Sequence, residues 1–359
     1  MLRDVGTTLG ELTKSQLRNL CRVVGIDADE PVRLLGGVLG AADSRPLSEP
    51  PLWPSDVADD ATPIEFSVQF DDNGARHLRI LAETLPAHPG PAANLRAARN
   101  LIDDLADRYD LSLDRLRAVQ DLFSGTDPQG KFSWWFSFIF DADGTPKFKM
   151  YFNPEVSGAE AAPALVAEAF ERLGMADAYR TVSKYALQRG ELDRLSFFAL
   201  DLDHSRQSRV KLYIGHHAAQ ADDVEFAASA VPGIDPAQVR EFCSLLAGDT
   251  PVFRGRPLIS SYSFVEGDQD KPSNYSLYMP IRDYVRDDAV ARERLQRHLR
   301  QHRISPALLD EVIAAVTDRE LAANAGLLAH VSLRLSPNRT GTTVYVSSEA
   351  YGGTHRQAR

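Results

Sequence analysis

The feature that most constrains this chain is the order in which two hydrophobic periods alternate along it. Stretches with apolar residues every three to four positions, the mark of a helix with one buried face, come in pairs. Each pair is followed by two stretches of alternating apolar and polar residues, the mark of strands with unlike faces. The cycle occurs five times, in units at about 9–85, 94–152, 162–215, 222–280 and 288–348. In the first unit Leu17, Leu20, Val23 and Val24 share a helical face, and a shorter helix is expected near 31–39. The alternating segments 64–70 and 77–85 follow, turned by Asp72-Asn73-Gly74. The later units predict helix pairs at 94–109 and 112–123, 162–173 and 176–187, 222–230 and 235–247, and 288–300 and 305–316. Their strand pairs are expected at 133–140 and 147–152, 195–202 and 209–215, 257–265 and 274–280, and 329–335 and 342–348. Matching positions in the last two units carry Ile234-Asp235-Pro236-Ala237 and Ile304-Ser305-Pro306-Ala307, each a capping residue before a proline that opens a helix.

A period of about 65–70 residues is longer than the common solenoid repeats. Ten mostly antiparallel strands joined as hairpins can instead close into a barrel, which removes exposed edges. The expected fold is therefore α+β: five ααββ repeats forming a ten-stranded antiparallel barrel ringed by outer helices. No long Pro/Gly/Ser linker divides the chain, so 1–359 is read as one domain. The proline-rich segment Asp43–Asp60 falls between helix and strand of the first unit and is read as a loop over a barrel mouth.

Helices covering the outside require the apolar strand faces to point outward, which leaves the polar faces for the lumen. In Arg209-Val210-Lys211-Leu212-Tyr213-Ile214 the inward set is then Arg209, Lys211 and Tyr213. Lys149 and Tyr151 share a face in the second hairpin, Ser276 and Tyr278 in the fourth, while Tyr345 and Arg79 lie on the second strands of the fifth and first. Four cations within one lumen repel one another, by roughly 4 kcal/mol per pair at 4 Å and an effective dielectric near 20, so the cluster calls for an anion. A diphosphate supplies the charge and accepts many hydrogen bonds.

On these residues the sequence resembles the dimethylallyltryptophan synthase family of indole prenyltransferases, the ABBA barrel enzymes. The resemblance is carried by Arg209-x-Lys211-x-Tyr213, Lys149-x-Tyr151-Phe152-x-Pro154, Tyr278-x-Pro280 with Tyr284 and Asp287-Asp288, and Pro63-Ile64-Glu65-x-Ser67. It implies transfer of a dimethylallyl group from dimethylallyl diphosphate to an indole acceptor such as tryptophan or an indole-containing dipeptide, in secondary metabolism, with no Mg²⁺ or other cofactor. It further implies that Arg79 (chosen over Arg76 for its spacing to Glu83), Lys149, Arg209 and Lys211 bind the diphosphate. Tyr151, Tyr213, Tyr278 and Tyr345 would shield the allylic cation, and Glu65 would accept a hydrogen bond from the indole N–H. Two departures stand out. Ser276 takes the place of a glutamine common in fungal members, which suggests a bacterial-type member. The strand Ser133-Trp134-Trp135-Phe136-Ser137 lacks the lysine of C4-prenylating members, which puts C4 attack or its usual base in question. A phenolic or naphthalene acceptor is the nearer alternative. A non-catalytic barrel binding a phosphorylated ligand is the farther one, and it leaves the four tyrosines without a purpose.

Other features narrow the field. A formal net charge of −10 argues against a nucleic-acid or anionic-membrane partner. Cys21 and Cys243 stand far apart with no CxxC spacing, so neither a disulfide framework nor a zinc site is indicated. The start of the chain has no apolar leader, and the longest apolar run, Trp134 to Phe140, is too short to span a bilayer, so a cytoplasmic protein is expected; its assembly is expected to be a monomer or a homodimer. Asp103-Asp104-Leu105-Ala106-Asp107 spells a Mg²⁺-binding pattern, but its aspartates fall on the solvated side of an amphipathic helix. His216-His217, adjacent on a strand, are read as a surface pair and not as a metal site.

Overall fold

The computed structural model describes residues 6–71, 76–125, 127–142 and 144–352, so the expected Asp72-Asn73-Gly74 turn and Asp143 lie outside the described residues. The first unit comprises α1 (Leu9–Val24), α2 (Asp29–Leu39), β1 (Ile64–Asp71) and β2 (Arg76–Ala82). The second comprises α3 (Pro91–Ala106), α4 (Asp114–Val119), β3 (Trp134–Phe140) and β4 (Lys147–Phe152). The third holds α5 (Ala162–Arg172), α6 (Ala176–Ala186), β5 (Asp193–Asp201) and β6 (Val210–His216). In the fourth are α7 (Ala221–Ala228), α8 (Ala237–Ala247), β7 (Leu258–Phe264) and β8 (Asn274–Met279). The fifth has α9 (Asp288–Gln301), α10 (Ala307–Val316), β9 (Leu328–Ser336) and β10 (Arg339–Val346). Each strand pairs antiparallel with its chain neighbours, and β10 returns to β1 through a register running from Phe66↔Val346 to Asp71↔Gly341. The ten strands form a closed barrel. The five expected helix–hairpin units are all present, and boundaries differ mostly by one to three residues; α4 is shorter than expected because it spans only Asp114–Val119.

The local chemistry of the helix ends explains where they start. Thr8 and Glu11 form a reciprocal capping pair at α1, each side chain accepting the other's backbone N–H, at 3.2 and 2.8 Å. Asp235 and Ser305 accept the N–H of Ala237 and Ala307, so the proline of each matching motif stands at the cap and the helix opens one residue later than expected. At Gly40, φ is 53° and a Cβ would sit 2.6 Å from the Leu85 carbonyl oxygen, so only glycine lets α2 end against the first hairpin.

The main core lies between the barrel and its helices. Phe66, Val68, Leu78, Ile80, Phe136, Phe138, Met150, Leu212, Leu277 and Val344 are all fully buried on the outward strand faces. Each such side chain stabilises the fold by roughly 1.5–3 kcal/mol relative to exposure. The outward position of these residues is what commits the opposite faces to the lumen.

His216 departs from expectation. It ends β6 on the outward face and is buried, with Nδ1 2.7 Å from Asp193 and Nε2 2.9 Å from Ser260, whose hydroxyl reaches Tyr275 at 2.7 Å. The alternation of β6 continues one residue beyond the apolar run, so this histidine is sealed beneath the helices rather than shared with His217 at the surface. Asp288 also serves the fold: it accepts the N–H groups of Leu327 and Leu328 at 3.1 and 3.0 Å and pairs with Arg319. Among the described residues no helix is long and apolar enough to cross a membrane.

Candidate active site

The register of the hairpins arranges the lumen in repeated layers. In each hairpin one inward residue of the second strand faces one of the first: Leu81↔Glu65, Tyr151↔Trp135, Tyr213↔Phe197, Tyr278↔Ile259 and Tyr345↔His330. Two residues earlier on each second strand stand Arg79, Lys149, Lys211, Ser276 and Thr343, opposite Ser67, Ser137, Ala199, Ser261 and Ser332. Strand periodicity therefore converts one sequence spacing, cation-x-aromatic, into two stacked belts.

The first belt borders a cavity of about 350 Å³ lined by Arg79, Lys149, Arg209, Lys211 and Arg334 among others. Its charges are partly neutralised from within, which the sequence reading did not foresee. Asp201, at the end of β5, lies 3.1 Å from Lys149 and 2.6 Å from Arg209, and Arg334 pairs with Asp71. Arg79 donates to Gln69 and, at 3.5 Å, to Thr343, whereas Arg76 points outward to the Val23 carbonyl. Burial works to raise the Asp201 carboxyl, but Lys149 and Arg209 outweigh it and hold it well below the usual range. Burial pushes the Lys149 and Lys211 ammonium groups down, and Arg209 adds to the effect in both. Lys211 has no carboxylate partner among the described residues. With Arg79, Lys149, Arg209, Lys211 and Arg334 set against Asp71 and Asp201, and Arg339 also lining the cavity, the belt retains an excess of positive charge in a desolvated space, the condition for holding a polyanion.

The second belt is aromatic. Tyr151, Tyr213, Tyr278 and Tyr345 follow one another round the lumen with ring centroids 5.7, 5.7 and 5.8 Å apart. Lys149 Nζ lies 5.9 Å from the Tyr151 ring centre and Lys211 Nζ 5.0 Å from that of Tyr213, which joins the two belts. Burial first, then neighbouring phenols, pushes the Tyr213 and Tyr345 hydroxyls up, so these rings stay neutral. Leu81, Tyr151, Phe197, Ile259, Tyr278, His330 and Tyr345 remain half-buried although they lie inside the barrel. They face hollow space.

Beyond the tyrosines the chamber is closed by an apolar cluster separate from the main core. Val57, Phe132 and Trp135 are buried there against Leu81, Tyr151 and Phe197, and Phe132 stacks on Trp135 at 4.1 Å. Val57 belongs to the proline-rich segment, so that segment does cover one end of the barrel. It is fastened by Ser55 to Glu83 (2.7 Å) and by Asp59 to Arg256 (2.8 Å) and Arg282 (2.9 Å). Glu65 is buried at this end, with Oε1 3.9 Å from His330 Nδ1, and burial pushes its carboxyl up to about 8 against the pull of Arg282. His330 is held neutral by burial and by Arg282, which donates to its Nδ1 at 3.0 Å.

A sequence model of the family described as tryptophan dimethylallyltransferase matches residues 34–308. The fold matches that of 6-dimethylallyltryptophan synthase from Micromonospora olivasterospora, solved in complex with DMASPP and Trp, with a TM-score of 0.93 and 50% identity over 97% of this chain and 99% of that one. The chain belongs to the tryptophan dimethylallyltransferase family. It is also similar to 5-dimethylallyltryptophan synthase from Streptomyces coelicolor, with a TM-score of 0.90 and 33% identity over 96% of this chain and 99% of that one. A more distant relative is deoxybrevianamide E synthase of Aspergillus versicolor, 27% identical over 194 residues; the match spans 46% of this chain and less than half, 44%, of that protein.

For a tryptophan dimethylallyltransferase family member the placement of the sequence-derived residues is compact. Arg79, Lys149, Arg209, Lys211, Tyr151, Tyr213, Tyr278 and Tyr345 all line one cavity, and Glu65 lies beyond it behind the tyrosines. The alternation of the second strands did not show Asp201, Arg334, Trp135, Phe197 or His330, because all five lie on first strands. The same inward parity, read along Phe197-x-Ala199-x-Asp201, was the available signal. Asp103 and Asp104 on α3 and Asp107 at its C-terminal cap are exposed, and among the described residues no group of three or more His, Cys, Asp or Glu side chains is placed to hold a metal ion.

Proposed function

We propose that this protein transfers a dimethylallyl group from dimethylallyl diphosphate to the indole ring of tryptophan, by electrophilic aromatic substitution without a metal ion. The observation that carries the reading is the stacking of the two belts: surplus cations on one side of four tyrosines, and an aromatic chamber with a buried carboxyl group on the other. Arg79, Lys149, Arg209 and Lys211 would hold the diphosphate and stabilise the charge that develops as its C–O bond breaks. The faces of Tyr151, Tyr213, Tyr278 and Tyr345 would attract the allylic cation, by roughly 0.5–2 kcal/mol each, and keep water from it. Glu65, once ionised, would accept the indole N–H and raise electron density in the ring. The ring carbon then bonds to the allyl carbon, and loss of its proton restores aromaticity.

Greater likeness to the 6-synthase than to the 5-synthase supports C6 as the position attacked. The chain would act as one domain, in the cytoplasm. Incubation with dimethylallyl diphosphate and L-tryptophan should give one monoprenylated product, assigned to C6 by NMR and formed undiminished in excess EDTA. Complete loss in EDTA with recovery on adding Mg²⁺ would replace the cation-belt mechanism. Absence of any prenylated tryptophan would remove the acceptor assignment.

A further inference from the structure

The alternation that builds the two belts runs one step past the strand ends. Beyond Arg79 and Leu81 comes Glu83, and beyond Lys149 and Tyr151 comes Asn153; both are buried. Glu83 extends β2, its N–H reaching the Pro63 carbonyl at 2.9 Å, and the pairing Ala82↔Phe136 continued one step brings it beside Trp135. Its carboxyl accepts Ser55 Oγ at 2.7 Å and Asn94 Nδ2, from α3, at 3.1 Å. Burial raises this carboxyl to about 7, and the Trp135 N–H, short of full hydrogen-bond geometry, joins Ser55 and Asn94 in pulling it down. Asn153 is as fully engaged. Its Nδ2 donates to the carbonyls of Gln129 and Phe132, at 2.9 and 2.8 Å, and its Oδ1 accepts the Glu155 N–H at 2.9 Å. The turn it grips lies so close that a Cβ on Gly130, where φ is 78°, would sit 2.5 Å from Nδ2.

Each of these side chains thus fastens an irregular segment that carries one residue of the chamber wall. Ser55 stands two residues before Val57, and Phe132 is held through its own carbonyl; neither Val57 nor Phe132 lies in a strand. Both pack on Trp135, and ring contacts carry their placement onward, from Trp135 to Phe197 at 5.6 Å and from Phe197 to Tyr213 at 5.7 Å.

We propose that Glu83 and Asn153 are positioning residues for the prenyl transfer: by holding Val57 and Phe132 against Trp135 they fix how deep the indole sits, and so which ring carbon meets the allylic cation. The assignment rests on the prenyl-transfer reading above. The tyrosine belt fixes the cation, so the depth of the opposite wall is what remains to select a carbon. Neighbouring ring carbons stand one bond length apart, and a misplacement of about 1 Å changes a rate by about a hundredfold. A carboxylate suits the place of Glu83 because it only accepts, and three donors converge there; Glu83→Gln sets an amide N–H₂ among them.

The test measures donor and acceptor KM, kcat and the distribution of the prenyl group over the indole carbons. Glu83→Gln and Asn153→Ala should lower kcat/KM for tryptophan by about ten- to a hundredfold and send about a tenth of the product or more to a second ring position. Donor KM should hardly change. Ser55→Ala, which removes a single bond at the edge of the covering segment, should shift the product in the same direction and serves where the other two fold poorly. His216→Ala, which loosens the barrel outside the lumen, should keep the single product. One unchanged product from Glu83→Gln, Asn153→Ala and Ser55→Ala, or losses shared equally by donor and acceptor, would make the clamps merely structural. Either result overturns the proposal while the prenyl-transfer reading stands. Absence of prenylated tryptophan with the unaltered protein would overturn both.

Discussion

Lys149 and Asp201 face each other across β4 and β5, 3.1 Å apart and each only 6% exposed. Asp201 also holds Arg209, so one carboxylate serves two cations of the lumen. Removal of one member of a buried charge set leaves the others uncompensated, at a cost of about 3–5 kcal/mol. Asp201→Asn should therefore lower the midpoint of thermal unfolding by roughly 5 °C or more. Inorganic diphosphate should restore more stability to this variant than to the unaltered protein, because it replaces the missing negative charge. Calorimetry with and without diphosphate reads both effects, and equal stabilisation of the two proteins would contradict the shared-counterion role.

Glu65 gives a pH signature whose sign is fixed. Its carboxyl titrates near 8 in the folded barrel, against an ordinary value of 4.5. Folding therefore takes up a proton between these values, and stability attached to the neutral carboxyl is complete below about 4.5 and lost as pH rises through 8. Glu65→Gln removes the titration, so the unfolding midpoint of the variant should gain on the unaltered protein from pH 5 to about 8 and level off above it. In activity the order reverses. The ionised form is the better acceptor for an indole N–H, so kcat/KM for tryptophan should rise toward pH 8, and Glu65→Ala should lower it by about a hundredfold. Near-normal turnover by the Ala variant would take Glu65 out of the reaction.

The two belts should separate kinetically. Lys211→Ala removes a cation from the first belt and should weaken dimethylallyl diphosphate binding by about ten- to a hundredfold. Tyr213→Ala should leave donor binding nearly intact, lower kcat and raise the share of dimethylallyl alcohol, since water would reach the allylic cation. Both variants need donor affinity and the ratio of hydrolysed to transferred prenyl group. Lost affinity with an unchanged ratio for Tyr213→Ala would place that ring among the diphosphate contacts.

His216 supplies a contrast outside the lumen. Its buried bonds to Asp193 and Ser260 tie β6 to β5 and β7 on the outward face. His216→Ala leaves both partners short and should destabilise the fold by about 1–3 kcal/mol. Donor and acceptor KM should stay within about twofold at temperatures where the variant is folded. A selective change in either KM would connect the outer network to the chemistry.

Much of the fold was legible because two periodicities repeat five times, and each repeat confirms the parity of the next. Lys149-x-Tyr151 and Lys211-x-Tyr213 could be placed on inward faces for the same reason: their neighbours Met150 and Leu212 had to pack under helices. What could not be read was registration between strands. Asp201 lies eight residues before Arg209 in the chain, and only hairpin pairing makes it a counterion. Arg282 meets Asp59 across 223 residues of sequence, which no local pattern announces. His216 reads as a surface residue in the sequence because a histidine at the end of an apolar alternation looks the same whether the covering helix stops before it or after it.

Closure of β10 onto β1 also bears on how such a protein can change over evolution. In a sheet without edges, every strand is held on both sides, and an inserted or deleted residue that is not absorbed in a bulge, as at Leu195/Phe197 and Tyr345/Val346, would turn its lumen side chains into the outer core. Length variation therefore falls mainly on the connections at the two ends and at such bulges, while the rest of the wall admits only replacement of one inward side chain by another. New acceptors have to be won by exchanging residues such as Trp135 or Phe197 in place, or by remodelling the segment that bears Val57 and Asp59. The barrel behaves as a fixed mould, and its history of specificity should be written almost entirely in substitutions along one face of each strand.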